Sequence, residues 1–155
     1  FYSTKKIFEF LQTKIKKNNL NNCEVISDSK IKSHILKKSV FAVSKSGTVS
    51  LEICNAKIPS IIIYKMGLIN FLIIKMLVNT KYANIFNIAA NEEVIPELLQ
   101  SKCNPKTIFK TVSELIEDPK KVESQLKKTQ LILNNFKTQT APSEKVAIIL
   151  NKLIN

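Results

Sequence analysis

The sequence predicts an α/β fold: an incomplete parallel sheet with flanking helices, followed by a helical tail. Three observations predict it. Short apolar runs alternate with helix-period segments across the first 80 residues, the order that builds a parallel sheet beneath helices. "IPSIIIY", residues 58–64, is almost continuously apolar, as a strand buried on both faces requires. After residue 92 helical spacing takes over.

Residues 4–17 predict a first helix, with Ile7, Phe8, Leu11 and Ile15 on one face. "NNLNN" is a turn, and "CEVIS" (23–27) a short strand. Asp28 or Ser29 can cap a helix carrying Ile31, Ile35 and Leu36. "VFAVS" (40–44) is a second strand and residues 47–55 a helix; the strand at 58–64 follows. Residues 68–78, "LINFLIIKMLV", read as helix, and 81–88 as a last strand or an extended loop. Helices are then expected over 92–100, 105–117 and 119–137. "TQTAPS" interrupts the pattern before a final helix at 144–154, whose buried face would be Val146, Ile149, Leu150 and Leu153.

The chain has 155 residues, enough for a domain with a real core. No apolar stretch reaches the roughly 18 to 20 residues of a spanning helix. The net charge is +12, and all 24 basic residues are Lys. Heavy use of Lys, Asn and Ile points first to composition and solvated faces, then to an anionic membrane surface. Nucleic acid is not an expected partner, because aromatics are scattered and the Arg forks that read bases are missing. Cys23, Cys54 and Cys103 are widely spaced and form no metal or disulfide pattern, and the single histidine, His34, lies on a Lys-rich helix. No paired carboxylates and no Ser/His/Asp set offer catalysis within the chain.

The stretch "FAVSKSGTVSLE" (41–52) places small polar residues where a strand ends and a helix begins. In open parallel sheets ligands bind at the carboxyl ends of the strands. A helix starting near Gly47 offers unpaired N–H groups and a positive dipole end, which suits a phosphate. Gly47 permits close approach, Ser46 and Thr48 can add hydroxyls, and Glu52 shares a helix face with Thr48. The same residues also fit a plain helix start, with Ser46 as cap, Gly47 as turn and Glu52 as a solvated charge.

"SGTVSLEICNAKIPSIIIYK" and "LVNTKYANIFNIAANEEVIPELLQ" together resemble the C-terminal part of the lipid-A-disaccharide synthase family. The resemblance rests on Ser46-Gly47-Thr48, Leu51-Glu52, Ala56, Pro59, Tyr64-Lys65, the segment 79–82, Asn87 and "PELLQ" at 96–100. Three positions depart from the family pattern: Ile85-Phe86-Asn87 replaces Leu-Pro-Asn, Ala90 replaces a Gly, and Asn79 stands where Lys is common.

The resemblance implies a partial Rossmann-like sheet from the C-terminal half of a GT-B glycosyltransferase. Residues 1–140 would form the nucleotide-sugar domain and 141–155 a crossing helix. It implies transfer of 2,3-diacylglucosamine from its UDP donor to 2,3-diacylglucosamine 1-phosphate, with release of UDP. Ser46, Gly47 and Thr48 would meet the diphosphate and Glu52 the ribose; Tyr64, Lys65 and Asn87 would line the donor cleft. The general base is expected in an N-terminal half that this chain lacks, so the chain alone is not expected to turn over. No metal or cofactor is expected, the UDP-sugar being a substrate. Leu68, Phe71, Leu72 and Lys75 would meet acyl chains or the cytoplasmic face of the inner membrane, or else form a core helix. The N-terminal half and a second copy of the chain are further expected partners. Another UDP-sugar transferase of this architecture, such as the peptidoglycan N-acetylglucosaminyltransferase, is the alternative enzyme. A non-catalytic remnant that binds a membrane or a partner is the alternative of another class.

Overall fold

The computed structural model describes residues 5–67, 70, 71, 76, 80–137 and 142–154. The chain divides into two compact units, Phe1–Val40 and Phe41–Asn155.

In the first unit, α1 (Lys5–Lys17) carries the predicted apolar stripe, and Lys14 Nζ lies 5.5 Å from the centre of the Phe10 ring. Asn19, at φ 51°, ends the helix in the left-handed region. Of the strand expected at 23–27, only a one-residue bridge at Ile26 forms. Asp28 caps α2 (Ser29–Lys38): its Oδ1 accepts the N–H groups of Lys30 and Ile31 at 2.7 and 3.3 Å.

The second unit is built on a three-stranded parallel sheet in the order β1 (Ala42–Ser44), β2 (Ser60–Tyr64), β3 (Glu97–Leu99). Ala42 pairs with Ser60, and Ile62 with Glu97. As "IPSIIIY" predicts, β2 is central and covered on both sides. Ile62 points into a cluster with Cys54, Phe86, Val94 and Ile95, over which Leu51, Ile132 and Leu133 pack. Ile61 points the other way, with Leu98 and Leu115, against Phe41, Ile108 and Val112. The period-2 alternation of strand side chains sends successive isoleucines to opposite layers.

Helices α3 (Thr48–Asn55), α4 (Ile85–Ala90) and α6 (Pro119–Phe136) form the first layer. Helix α5 (Pro105–Ile116) and the start of α6 form the second. Both α5 and α6 begin with proline at the first turn behind an Asn104 or Asp118 cap.

Two sequence expectations are corrected here. Residues 81–88 do not make a strand: Asn84 Oδ1 accepts the Phe86 N–H at 2.9 Å and starts α4 instead. Residues 92–100 are not a helix. Pro96 opens β3, and its carbonyl accepts the Ile62 N–H at 2.9 Å. Pairing with β2 overrides the helix preference of Glu and Leu. The 68–78 segment lies largely outside the described residues. The final helix α7 (Pro142–Ile154) forms as expected, but Val146, Ile149, Leu150 and Leu153 are exposed, Leu153 by 77%.

Polar ties pin the sheet. Gln125 on α6 is buried and grips Ser60 from both sides, accepting its N–H at 2.8 Å and donating to its carbonyl at 3.0 Å. Gln125→Ala would leave both backbone groups buried without that partner. The expected loss is about 2–4 kcal/mol, read from the urea midpoint of the purified chain.

Cys54 is buried beneath α6, and burial pushes its thiol up to about 12, against a smaller opposing effect of the Thr129 hydroxyl. Thiolate is the reactive form. Labelling at about pH 8 should therefore modify the half-buried Cys23 and Cys103 in the folded chain and reach Cys54 only after denaturation; labelling of all three at one rate would contradict this.

Candidate functional site

Strand β1 ends at Ser44, and three residues later the chain turns into α3. Gly47 makes that turn at φ 146° and ψ −164°, a region in which residues other than glycine are strained. It occupies the cap position itself, and no side chain caps α3. Among the described residues no side chain caps the first-turn N–H groups of α3, of which that of Ser50 is bonded to the Gly47 carbonyl at 3.1 Å; they lie at the carboxyl end of β1 and carry the positive end of the helix dipole. Ser50 braces the turn from below, donating from Oγ to the Gly47 carbonyl at 2.6 Å.

Ser46 is not the helix cap. Its Oγ donates to the Ala83 carbonyl at 2.8 Å, tying the loop after β1 to the loop before α4. Thr48 opens α3 and is exposed; Glu52, also exposed, lies one turn further on. Tyr64 closes β2, and Lys45 Nζ sits 4.6 Å from the centre of its ring, a cation–π contact that holds an ammonium at the strand ends. Lys45 and Lys65 both line a shallow cleft of about 320 Å³ with Ser44 and Cys103. A larger cleft, about 510 Å³, opens at the carboxyl ends of β2 and β3. Tyr64, Met66, Phe71, Tyr82, Ile88 and Leu99 make it mainly apolar, with Lys81 among its polar lining residues.

The structure therefore brings Ser46, Gly47, Thr48, Tyr64 and Lys65 to one end of the sheet, with Phe71 in the wall of the larger cleft. Leu68, Leu72 and Lys75 lie outside the described residues. Asn87 is placed differently from a cleft-lining side chain. It is fully buried, and its amide makes four internal hydrogen bonds. Oδ1 accepts the N–H groups of Val94 and Ile95 at 2.9 and 2.8 Å, while Nδ2 donates to the Ile95 carbonyl and to Glu97 Oε1, both at 2.7 Å.

Two residues of "PELLQ" have positions that sequence reasoning missed. Glu97 is buried at the start of β3 and accepts the backbone N–H groups of Ala83 and Asn84, each at 2.8 Å. Gln100, at φ 50°, clamps Met66 by accepting its N–H at 2.8 Å and donating to its carbonyl at 3.2 Å. A carboxylate inside the otherwise apolar run "VIPELL" was the available signal, because a charge is buried only where donors meet it.

A family model described as lipid-A-disaccharide synthetase matches residues 1–150. The chain is 36% identical over 121 residues to the lipid-A-disaccharide synthase of Rickettsia bellii (strain OSU 85-389), covering 77% of this chain and 31% of that protein. It is 36% identical over 130 residues to the same-named protein of Rickettsia canadensis (strain McKiel), covering 83% and 33%. The Rickettsia prowazekii (strain Madrid E) protein of that name is 33% identical over 129 residues, with 82% and 33% covered. The chain belongs to the lipid-A-disaccharide synthetase family, and it spans about a third of the length of these relatives.

The conformation of the Gly47 turn has a consequence for stability. A Cβ at Gly47 would meet nothing within 4 Å, so a substitution there is opposed by conformation and not by a clash. Gly47→Ala should cost about 1–3 kcal/mol. Gly47→Asn should do no better, because asparagine's tolerance covers a different positive-φ region. Urea unfolding of both variants checks this.

Proposed function

We propose that this family member supplies the UDP-sugar-holding part of a lipid A glycosyltransferase. In that reading the acceptor, 2,3-diacylglucosamine 1-phosphate, attacks the anomeric carbon of UDP-2,3-diacylglucosamine through its 6-hydroxyl. The bond from that carbon to the diphosphate breaks, UDP leaves with the bonding electrons, and a β(1→6) disaccharide forms with inversion. The hydroxyl proton passes to a base outside this chain. This chain by itself binds the donor's nucleotide and does not turn it over.

The observation that carries the reading is the start of α3. Gly47 leaves the first N–H groups of α3 uncapped by any side chain among the described residues, at the strand end where α/β sheets bind ligands. Such N–H groups suit a diphosphate without a metal. Ser46 and Thr48 flank them, Glu52 is one turn away for ribose hydroxyls, and Lys45 and Lys65 stand at the adjoining cleft to offset leaving-group charge. Asn87 serves from behind, through the segment 94–97 that it holds. The apolar cleft at Phe71 and Tyr82 suits an acylated sugar, and Lys81 beside it suits the anionic cytoplasmic surface of the inner membrane.

A UDP titration followed by two-dimensional amide NMR tests the reading. Shifts confined to Ser46, Gly47, Thr48 and Glu52 with UDP, and lost with uridine, are expected. An unchanged spectrum at millimolar UDP would remove the nucleotide role and favour a non-catalytic remnant.

A further inference from the structure

We propose that Glu97 is a positioning residue of the nucleotide site, acting on Ser46 through the peptide that joins Ala83 to Asn84. The inference rests on the reading of residues 46–48 as the diphosphate grip.

The relay is short. Glu97 is 7% exposed and sits opposite Ile62, on the layer that α3 and α4 cover. Its Oε2 accepts the Ala83 N–H at 2.8 Å. Its Oε1 accepts the Asn84 N–H at 2.8 Å and Asn87 Nδ2 at 2.7 Å. The Asn84 N–H and the Ala83 carbonyl belong to one peptide group. That group is planar and trans, so the two bonds point in opposite directions. Directing the N–H at Glu97 therefore directs the carbonyl away from it, and the carbonyl is the acceptor of Ser46 Oγ–H at 2.8 Å. The second hydrogen bond, from Ala83 N–H, fixes the preceding peptide plane, so the carbonyl has little freedom to swing.

This arrangement exceeds what packing alone needs. Asn87, which holds the backbone of Val94 and Ile95, takes only one of the carboxylate's three hydrogen bonds. Burying a charge at the start of β3 is worthwhile only where several donors meet it. Two of the three donors here belong to the loop that anchors Ser46. The hydroxyl is thereby turned toward Ala83, with its remaining lone pairs and the adjacent Gly47 and Thr48 N–H groups set at a fixed distance from the β1 terminus.

Glu97→Gln is the discriminating variant. The amide oxygen can stay on Asn84 and Asn87, which leaves an NH₂ facing the Ala83 N–H. In the ligand-free chain the amide signals of residues 46–48 should then move, and Ser46→Ala should move the same signals. UDP affinity should fall about tenfold, the loss expected for one hydrogen bond to a charged group. Glu97→Gln added to Ser46→Ala should weaken UDP binding little further, since the relay is already cut. A lowered melting temperature with unmoved 46–48 signals and unchanged affinity would reduce Glu97 to a packing role and overturn the proposal, as would additive losses in the double variant. If wild-type chain ignores UDP, the nucleotide reading fails by itself, and the ligand-free signals of residues 46–48 still decide whether Glu97 positions Ser46.

Discussion

A strand buried on both faces dictates the terms for everything around it, and β2 is such a strand. Ile61 and Ile62 have no exposure at all, so two helical layers must close over a sheet only three strands wide. Its ends and loops are then the places where polar groups can reach water or each other. The protein secures these positions with amide side chains that act as detachable backbone. Gln125 holds Ser60 where β2 begins, and Gln100 holds Met66 just past its end. Asn87 does the same for Val94 and Ile95, and Gln130 donates to the Cys54 carbonyl at the end of α3 at 2.6 Å. Gln125, Gln100 and Asn87 each satisfy a backbone N–H and a C=O at once, as a neighbouring strand would.

These ties explain why the carboxyl end of the sheet is ordered by residues far from it in sequence. The loop after β1 contains no side chain that reaches the core, yet Ser46 is held by Ala83 and Ala83 by Glu97. Hydrogen bonds to a buried carboxylate hold these loops in one arrangement, although among the described residues Ser44 Oγ and Asn84 Nδ2 are buried there without a partner. The same loops border the two clefts, so the rigid frame and the openings share their walls.

How much of this was legible beforehand depends on how each element is encoded. The apolar run at 58–64 and the helical period of 105–117 and 119–137 announce themselves, because burial on a face leaves a local pattern. The turn at Gly47 was legible for a related reason: a glycine in a glycine-poor chain, set between a strand and a helix, signals unusual backbone. Strand β3 was not legible. Its three residues are a strand only because β2 pairs with them, and pairing partners leave no mark on the local sequence. The expected strand at 23–27 failed in the opposite sense: a strand-like pattern there yields only the bridge at Ile26. Asn87 was singled out through resemblance, and its amide is buried on the backbone of Val94 and Ile95 and on Glu97 rather than in a cleft wall. Glu97 and Gln100 were hidden inside a motif that reads as helix.

The composition and the site can be reconciled by asking which atoms do the gripping. All the basic residues are lysines, which serve as point charges and lack the guanidinium fork that clamps phosphates bidentately. A site relying on such forks would suffer in a lysine-only chain. In the proposed nucleotide site the groups that would meet the anion are instead backbone N–H groups, which every residue but proline possesses. Their direction depends on the positive φ of Gly47 and on the carbonyl that holds Ser46. Lysines around the clefts need only lie near, and Lys45 on the Tyr64 ring and Lys81 by Tyr82 are kept near by aromatic faces. A composition rich in Lys, Asn and Ile is therefore compatible with the proposed backbone grip wherever it spares the few residues that aim the peptide planes.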